Sequence, residues 1–140
     1  MRWHAPLVVV GALALIAPRW MPESGDKKEA ERSRISIYRI APGKHLEFLK
    51  WQAARDDAFK DAGIPVGKVY AHLDGDNWDY LMIGPATTPE QDKKFDEAAA
   101  KRGLKTGFAA SLEFREYLAW HSDTFVVGPM TAAELVASAK

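Results

Sequence analysis

The sequence predicts an α+β domain whose elements follow the order β-α-β-β-α(α)-β. An alternating apolar run ends at Pro42-Gly43, and two further alternating runs are separated by a short polar turn. Amphipathic segments of helical length follow the first and the third run. This order is the split arrangement of ferredoxin-like domains, in which helices cover one face of an antiparallel sheet.

The first strand is predicted at residues 35–40 and the first helix at about 44–62. The helix ends at Gly63, and Pro65 prevents its continuation. Two apolar stripes on this helix predict that it is packed between two partners. The first stripe comprises Phe48, Trp51, Ala58, Phe59 and Ala62, and the second comprises Leu46, Leu49 and Ala53.

The second and third strands are predicted at residues 66–73 and 78–84. The Asp-Gly-Asp-Asn turn at residues 74–77 joins them, because these residue types accept the positive φ angles of tight turns. A second helix is predicted from Thr88 to about Arg102, with a capping box between Thr88 and Gln91 and a stop at Gly103.

The remainder of the domain is predicted as a helix at about 106–120 and a fourth strand at 124–127. Gly128-Pro129 closes that strand. A short terminal helix at 131–138 is predicted to begin with a second capping box, between Thr131 and Glu134.

Strand alternation places a set of large side chains on the sheet face that we expect the helices to leave open. An apolar surface of this size is rarely left in water, so a twofold dimer that pairs two such faces is predicted. The set comprises Tyr38, Tyr70, Trp78, Tyr80 and Met82.

The chain divides into four predicted regions: residues 1–21 as a signal peptide or N-terminal anchor, 22–32 as a polar linker, 33–130 as the domain and 131–140 as a C-terminal helical tail. The apolar run at 5–17 has the length of a signal-peptide core and is short for a membrane span. We therefore expect export to the periplasm or the medium. The alternative is an uncleaved anchor, through which alone the protein would contact a membrane.

Length, charge and cysteine content restrict the classes to which the protein can belong. The 140 residues suit one domain, and 19 basic residues balance 19 acidic ones, which argues against nucleic-acid binding. The chain has no cysteine, so it forms neither a disulfide nor a thiolate metal site.

Two segments resemble the dimeric α+β barrel superfamily, which includes antibiotic-biosynthesis-type monooxygenases, stress-responsive barrel proteins and NIPSNAP-like domains. The first is the run at residues 38–44 that leads into Phe48 and Trp51, and the second is the closing run at 121–129. The resemblance spans about residues 33–129 and implies a homodimer. It is more specific for fold than for activity, because one fold supports many functions.

A small apolar or aromatic molecule in the barrel interior is the ligand that the aromatic strand positions favour. The predicted ligand-binding residues are Tyr38, Lys68, Tyr70, Trp78 and Tyr80. The alternative is a purely structural or interaction dimer, in which the same aromatic side chains fill the barrel.

If the protein is an enzyme, the resemblance implies a cofactor-independent monooxygenase acting on an electron-rich aromatic or quinol-like substrate. His72 or His121 would remove the substrate proton, because imidazole titrates near neutral pH. Trp78 and Tyr80 would stack on the substrate. Alternatively, His121 and Asp123 form a local turn or cap pair at the entry to the last strand.

No cofactor or metal is predicted. His45, His72 and His121 are far apart in the sequence and lack ligand spacing. Haem bound through one axial histidine is known in the superfamily and is kept as an alternative, although no local sequence pattern supports it. No nucleophile elbow surrounds a serine, so hydrolase chemistry is not indicated.

Overall fold

The computed structural model describes residues 31–139, and the element order matches the prediction. The strands are β1 (Arg32–Ile40), β2 (Lys68–Ala71), β3 (Tyr80–Pro85) and β4 (Leu118–Val127). The helices are α1 (His45–Asp61), α2 (Pro89–Lys101), α3 (Gly107–Glu116) and α4 (Ala132–Ser138). The predicted signal peptide or anchor, and nearly all of the predicted linker, lie outside the described residues.

All strand pairs are antiparallel, and the sheet order is β2-β3-β1-β4. β1 and β3 therefore occupy the centre, which confirms the ferredoxin-like α+β fold. Asp79 joins the ends of the central strands, because its carboxylate accepts a 2.6 Å hydrogen bond from the Ile40 amide. Its own amide donates to the Tyr38 carbonyl. Within residues 31–139, no helix is long and apolar enough to cross a membrane.

Helix boundaries follow the predicted signals. Thr88 and Thr131 each form the reciprocal hydrogen bonds of a capping box, with Gln91 and Glu134 respectively. Gly63 and Gly103 follow α1 and α2 with φ angles of +70° and +73°, which glycine adopts without steric cost.

The fourth strand is longer than predicted, and the helix before it is shorter. Residues 118–120 were predicted to be helical, but they pair with the end of β1. The Tyr117 carbonyl accepts a hydrogen bond from the Ala41 amide. The continuous apolar run Tyr117–Trp120 suits either a helix or a strand from periodicity alone. Pairing with β1 decides in favour of the strand.

The predicted assignment of the sheet faces was wrong for Tyr38, Tyr80 and Met82. Tyr38 is 5% exposed and packs on Phe48 of α1 and on Phe114 of α3. Cross-strand pairing places Tyr80 opposite Tyr38, and Met82 pairs with Ser36 on the same face. We call this the helix-facing side of the sheet.

The opposite side of the sheet, which we call the open face, carries a different apolar set. It contains no buried side chain among the described residues. Its apolar and aromatic members are Ile35, Ile37, Tyr70, Leu81, Ile83, Trp120 and Val126.

Helix α1 packs through one side, which corrects the prediction of two packed stripes. Phe48, Gln52 and Ala58 are its buried residues. Leu46 and Leu49, from the predicted second stripe, are 63% and 37% exposed. Within residues 31–139 that stripe faces solvent.

The buried side chains form two separate clusters. The sheet cluster joins β1 and β3 to α1 and consists of Tyr38, Ile40, Phe48 and Met82, with Trp51, Tyr80, Phe114, Tyr117 and Leu118 packed against it. The helix cluster joins α1 to α2 and consists of Ala58, Ile64, Phe95, Ala98 and Ala99, with Phe59, Ala62 and Leu104 packed against it.

Candidate functional site

A cavity of about 410 Å³ lies between the helix-facing side of the sheet and helices α1, α2 and α3. This volume falls within the range of small-molecule sites. Residues of both core clusters line it, so the cavity lies between the two clusters. The lining comprises Arg34, Ser36, Tyr38, Trp51, Gln52, Arg55, Phe59, Met82, Thr87, Asp92, Phe95, Asp96, Gly107, Ala110, Ser111, Phe114 and Asp123.

Two aromatic pairs form part of the wall. Trp51 and Phe114 stack with ring centroids 5.3 Å apart, and the Trp51 indole donates to Glu113 at 3.1 Å. Phe59 and Phe95 lie 4.3 Å apart. These contacts hold the rings in place, so the cavity presents aromatic surface to whatever occupies it.

Small side chains on α3 leave the volume of the cavity unfilled. Ala110 is buried at 7% exposure, and it lines the cavity together with Gly107 and Ser111. The spacing from Gly107 to Ala110 and from Ala110 to Phe114 places all three residues on one helix side. Larger side chains at these positions would occupy the cavity.

The sheet contributes a buried hydroxyl at Ser36, which is 1% exposed. Within residues 31–139 its Oγ atom forms no hydrogen bond of acceptable geometry, although the Tyr38 hydroxyl is close enough for Ser36 to affect its pKa. A buried polar group without a partner costs about 1–3 kcal/mol, so it needs an explanation. Because Ser36 lines the cavity, a bound ligand or water would supply that partner.

Burial raises the pKa of the neighbouring Tyr38 phenol. The Asp123 carboxylate adds to this increase, whereas the Ser36 hydroxyl and the Arg34 guanidinium oppose it. The phenol is therefore held in its protonated form and can donate a hydrogen bond.

Arg55 extends from α1 across two aromatic rings. Its guanidinium carbon lies 4.8 Å from the Trp51 centroid and 4.6 Å from the Phe95 centroid. Burial lowers the pKa of Arg55, while Asp96 and Glu113 oppose the decrease. Arginine keeps its charge despite such a shift, so a cation stands at the cavity wall.

The acidic residues of the lining are more exposed than the basic ones. Asp92, Asp96 and Asp123 are exposed, whereas Arg34 and Arg55 are half-buried. Asp92 accepts a 2.6 Å hydrogen bond from Thr87. The carboxylates therefore lie toward the solvent side of the cavity, where water can hydrate them.

Only Tyr38 among the predicted site residues lines this cavity. Tyr80 lies on the same side of the sheet, stacked on Phe48 at 5.9 Å, with its hydroxyl 3.5 Å from His45 Nδ1. His121 also lies there, with its ring 5.2 Å from Phe114.

His121 and Asp123 do not form a turn at the entry to the last strand, as the alternative interpretation had it. Both belong to β4, on the same side, and His121 Nε2 lies 4.0 Å from Asp123 Oδ2. Because Asp123 lines the cavity, His121 stands next to its wall.

The other predicted site residues lie elsewhere. Lys68 and Tyr70 are exposed on β2 and belong to the open face. His72 and Trp78 pack on each other at 4.5 Å beside the turn between β2 and β3. The two predicted catalytic histidines thus have different surroundings, and His121 alone is adjacent to the cavity wall.

The polar lining residues that were not predicted include Arg34, Ser36, Gln52 and Arg55. A signal existed for three of these four. Arg34 and Ser36 alternate with Tyr38 along β1, so all three share a side once Tyr38 is known to be covered. Arg55 follows Trp51 by four residues and therefore lies on the same side of α1.

The described part of the chain holds no group of three His, Asp or Glu side chains that could bind a metal ion. No family model matches the chain, and no curated protein matches it.

Several solved structures are similar to this chain. A mutant of SnoaB, a cofactor-independent oxygenase from Streptomyces nogalater, matches with a TM-score of 0.49 and 18% identity, covering 74% of this chain and 97% of that one. A dimeric protein of unknown function with a ferredoxin-like fold, from Bacteroides fragilis, has a TM-score of 0.42 and 12% identity, covering 69% and 95%.

An uncharacterised NIPSNAP domain protein from Burkholderia xenovorans matches with a TM-score of 0.44 and 17% identity, covering 72% of this chain and 97% of that one. At these identities the likenesses concern the fold, and no specific member is singled out.

Proposed function

We propose that the protein binds a small planar aromatic molecule in the cavity between the sheet and the helices. The observation that carries the proposal is the buried Ser36 hydroxyl, which lacks a well-formed hydrogen bond, in a cavity lined by aromatic rings together with polar and charged groups. Small-molecule sites combine apolar and aromatic surface with directed polar groups, and this lining offers both.

The volume of the cavity favours ligand binding over a purely structural role. The cavity is open to solvent on the side of Asp92, Asp96 and Asp123, which are exposed. Its volume of about 410 Å³ lies within the range of small-molecule sites, and the small residues Gly107 and Ala110 keep the space free.

Calorimetric titration with 2-naphthol, a planar aromatic with one hydroxyl, tests the proposal. We expect saturable binding that Ser111→Trp removes, because the indole fills the cavity. Ala109→Trp is the matched control, since Ala109 is an exposed neighbour on α3 outside the lining. Equal binding by wild type and Ser111→Trp, or no binding of any planar aromatic, would contradict the proposal.

We also propose that two chains pair through their open faces. Trp120 and Tyr70 are 51% and 50% exposed, and Ile83 is 37% exposed. These residues lie on one side of the sheet with Ile35, Ile37 and Leu81, so the apolar surface is continuous across the central strands. A twofold partner would cover it.

A second candidate function is cofactor-independent oxygenation of a phenol or quinol. The position of His121 favours it, because the imidazole lies beside Phe114 and Asp123, two residues of the cavity lining. His121 would accept the phenolic proton, and the resulting anion would transfer electrons to O2. One oxygen atom would form a bond to a ring carbon of the substrate, and the other would leave as water.

Oxygen uptake with an anthrone or a hydroquinone tests this candidate. We expect His121→Ala to abolish uptake and His72→Ala to retain it, since His72 packs on Trp78 away from the lining. Absence of uptake in the wild type across a substrate panel would eliminate the oxygenase function and leave ligand binding intact.

A further inference from the structure

We infer that the ligand of this cavity is an aromatic acid, whose carboxylate binds between Arg34 and Arg55 while its ring lies against the aromatic wall. The inference rests on the proposed function and adds the charge of the ligand to it. Its basis is the arrangement of charge and burial around the cavity.

Neither guanidinium is neutralised by a direct partner. Within residues 31–139, Arg34 and Arg55 form no salt bridge, although Arg102 and several lysines do. The hydrogen bond of Arg55 is a long one, 3.4 Å from Nη1 to the Lys105 carbonyl. Both cations line the cavity and are half-buried, and Asp96 and Glu113 act on Arg55 only from beyond salt-bridge distance, so a bound anion would stabilise both charges.

The geometry of Arg55 suits a planar acid. Its guanidinium lies over the rings of Trp51 and Phe95, so the face is occupied by aromatic contacts. The N–H groups at the edge of the guanidinium stay available and match the two oxygens of a carboxylate. A ring attached to that carboxylate would lie beside the same aromatic residues.

Ser36 supplies the third donor. Its hydroxyl is almost fully buried, lines the cavity and, within residues 31–139, forms no hydrogen bond of acceptable geometry, with the Tyr38 hydroxyl as a near neighbour. Ser36 and Arg34 are two residues apart on β1, so both side chains leave the strand on the helix-facing side. A carboxylate oxygen accepts hydrogen bonds from both groups.

The carboxylates of the lining do not replace such a ligand. Asp92, Asp96 and Asp123 are exposed and are hydrated from the solvent side. The cations lie deeper than these anions. A cationic ligand would bind the exposed carboxylates, whereas an acid reaches the two half-buried guanidinium groups, and these groups favour the acid.

The test compares two probes of the same shape, 2-naphthoate and 2-naphthamide, by calorimetry at neutral pH. The wild type is expected to bind naphthoate about tenfold more tightly, since a hydrogen bond to a charged group contributes more than one between neutral groups. Arg34→Gln and Arg55→Gln are each expected to bring the two affinities close to parity. Ser36→Ala weakens naphthoate binding several-fold, less than either arginine variant does.

Arg115→Gln is the matched control, because Arg115 is exposed on α3 and lies outside the lining. It is expected to keep the full preference. Equal affinity of the wild type for both probes overturns the acid inference while leaving aromatic binding in place. Failure of both probes to bind overturns the proposed function as well. Retention of the preference by Arg34→Gln and Arg55→Gln together overturns the assignment of the carboxylate site.

Discussion

The ring of Tyr38 packs on the ring of Phe48, with centroids 5.2 Å apart and planes inclined by 55°. This contact joins the central strand β1 to helix α1 and fixes which side of the sheet the helices cover. The side chains that alternate with Tyr38 along β1, namely Arg34 and Ser36, are thereby directed into the cavity. Ile35 and Ile37 are left on the open face.

The Tyr38–Phe48 contact predicts a large effect of truncation. Phe48 is 1% exposed, and Phe48→Ala is expected to lower the free energy of unfolding by about 3–5 kcal/mol through lost burial and a residual cavity. Phe108→Ala is the control, because Phe108 is 75% exposed, and its cost is expected to stay within about 0.5 kcal/mol. Urea denaturation of both variants measures the difference, and similar losses would contradict the packing described.

The element order was predicted well from the sequence because the residues that begin and end helices act locally. Gly63, Gly103 and the capping residues Thr88 and Thr131 act within a few positions of themselves, and each ends or begins a helix as expected. The sheet faces were harder to predict, because alternation groups Ser36 with Tyr38 without showing which side is covered. Only tertiary packing on Phe48 and Phe114 resolves that choice.

The candidate site, like the sheet faces, could be predicted only in part from local sequence patterns. Aromatic strand residues indicated an aromatic cavity, and Tyr38 is indeed part of it. Most of its wall, however, comes from α1, α2 and α3, through residues that were not predicted to belong to a site. Arg55 is an example: its role depends on Phe95, 40 positions away in the sequence, and no local pattern connects the two residues.

Dimerisation through the open face predicts that a charge introduced on that face weakens the dimer. Ile83→Asp places a carboxylate on that face in both copies, and its burial without a partner is expected to weaken the dimer by at least about a hundredfold. Leu112→Asp is the control, because Leu112 is an exposed residue of α3. Sedimentation equilibrium provides the measurement. A wild-type domain that sediments as a monomer would rule out pairing of the two sheets.

The buried phenol of Tyr38 predicts loss of stability at alkaline pH. Its pKa is higher in the folded protein than the ordinary value of 10.0, because burial disfavours the phenolate. The contribution to stability is therefore complete below about pH 10 and is lost as pH rises through the folded-state pKa.

Tyr38→Phe isolates this effect, since it removes the titrating group and keeps the ring. The difference in unfolding free energy between wild type and variant is expected to be constant from about pH 7 to pH 9 and to shift against the wild type at higher pH. Chemical denaturation at several pH values measures it. A difference that stays constant through the alkaline range would show that the phenol is not buried.

Thr88 and Thr106, two of the helix N-caps, form a matched pair. Thr88 accepts a hydrogen bond from the Gln91 amide, whereas the Thr106 side chain makes no capping hydrogen bond. Thr88→Ala is therefore expected to cost about 1 kcal/mol of stability, and Thr106→Ala much less. Thermal denaturation of the two variants distinguishes them, and equal costs would argue against the capping box.

The methyl group of Met82 gives the most direct measurement of ligand binding in the cavity. Met82 lines the cavity on the sheet side, whereas Met130 lies outside the lining and serves as an internal reference. With 13C-labelled methionine methyl groups, addition of 2-naphthol is expected to shift the Met82 resonance in a saturable manner. Nuclear Overhauser contacts to the naphthalene ring are expected to accompany the shift, with Met130 unchanged. Saturable binding that leaves Met82 unaffected would contradict the cavity as the ligand site.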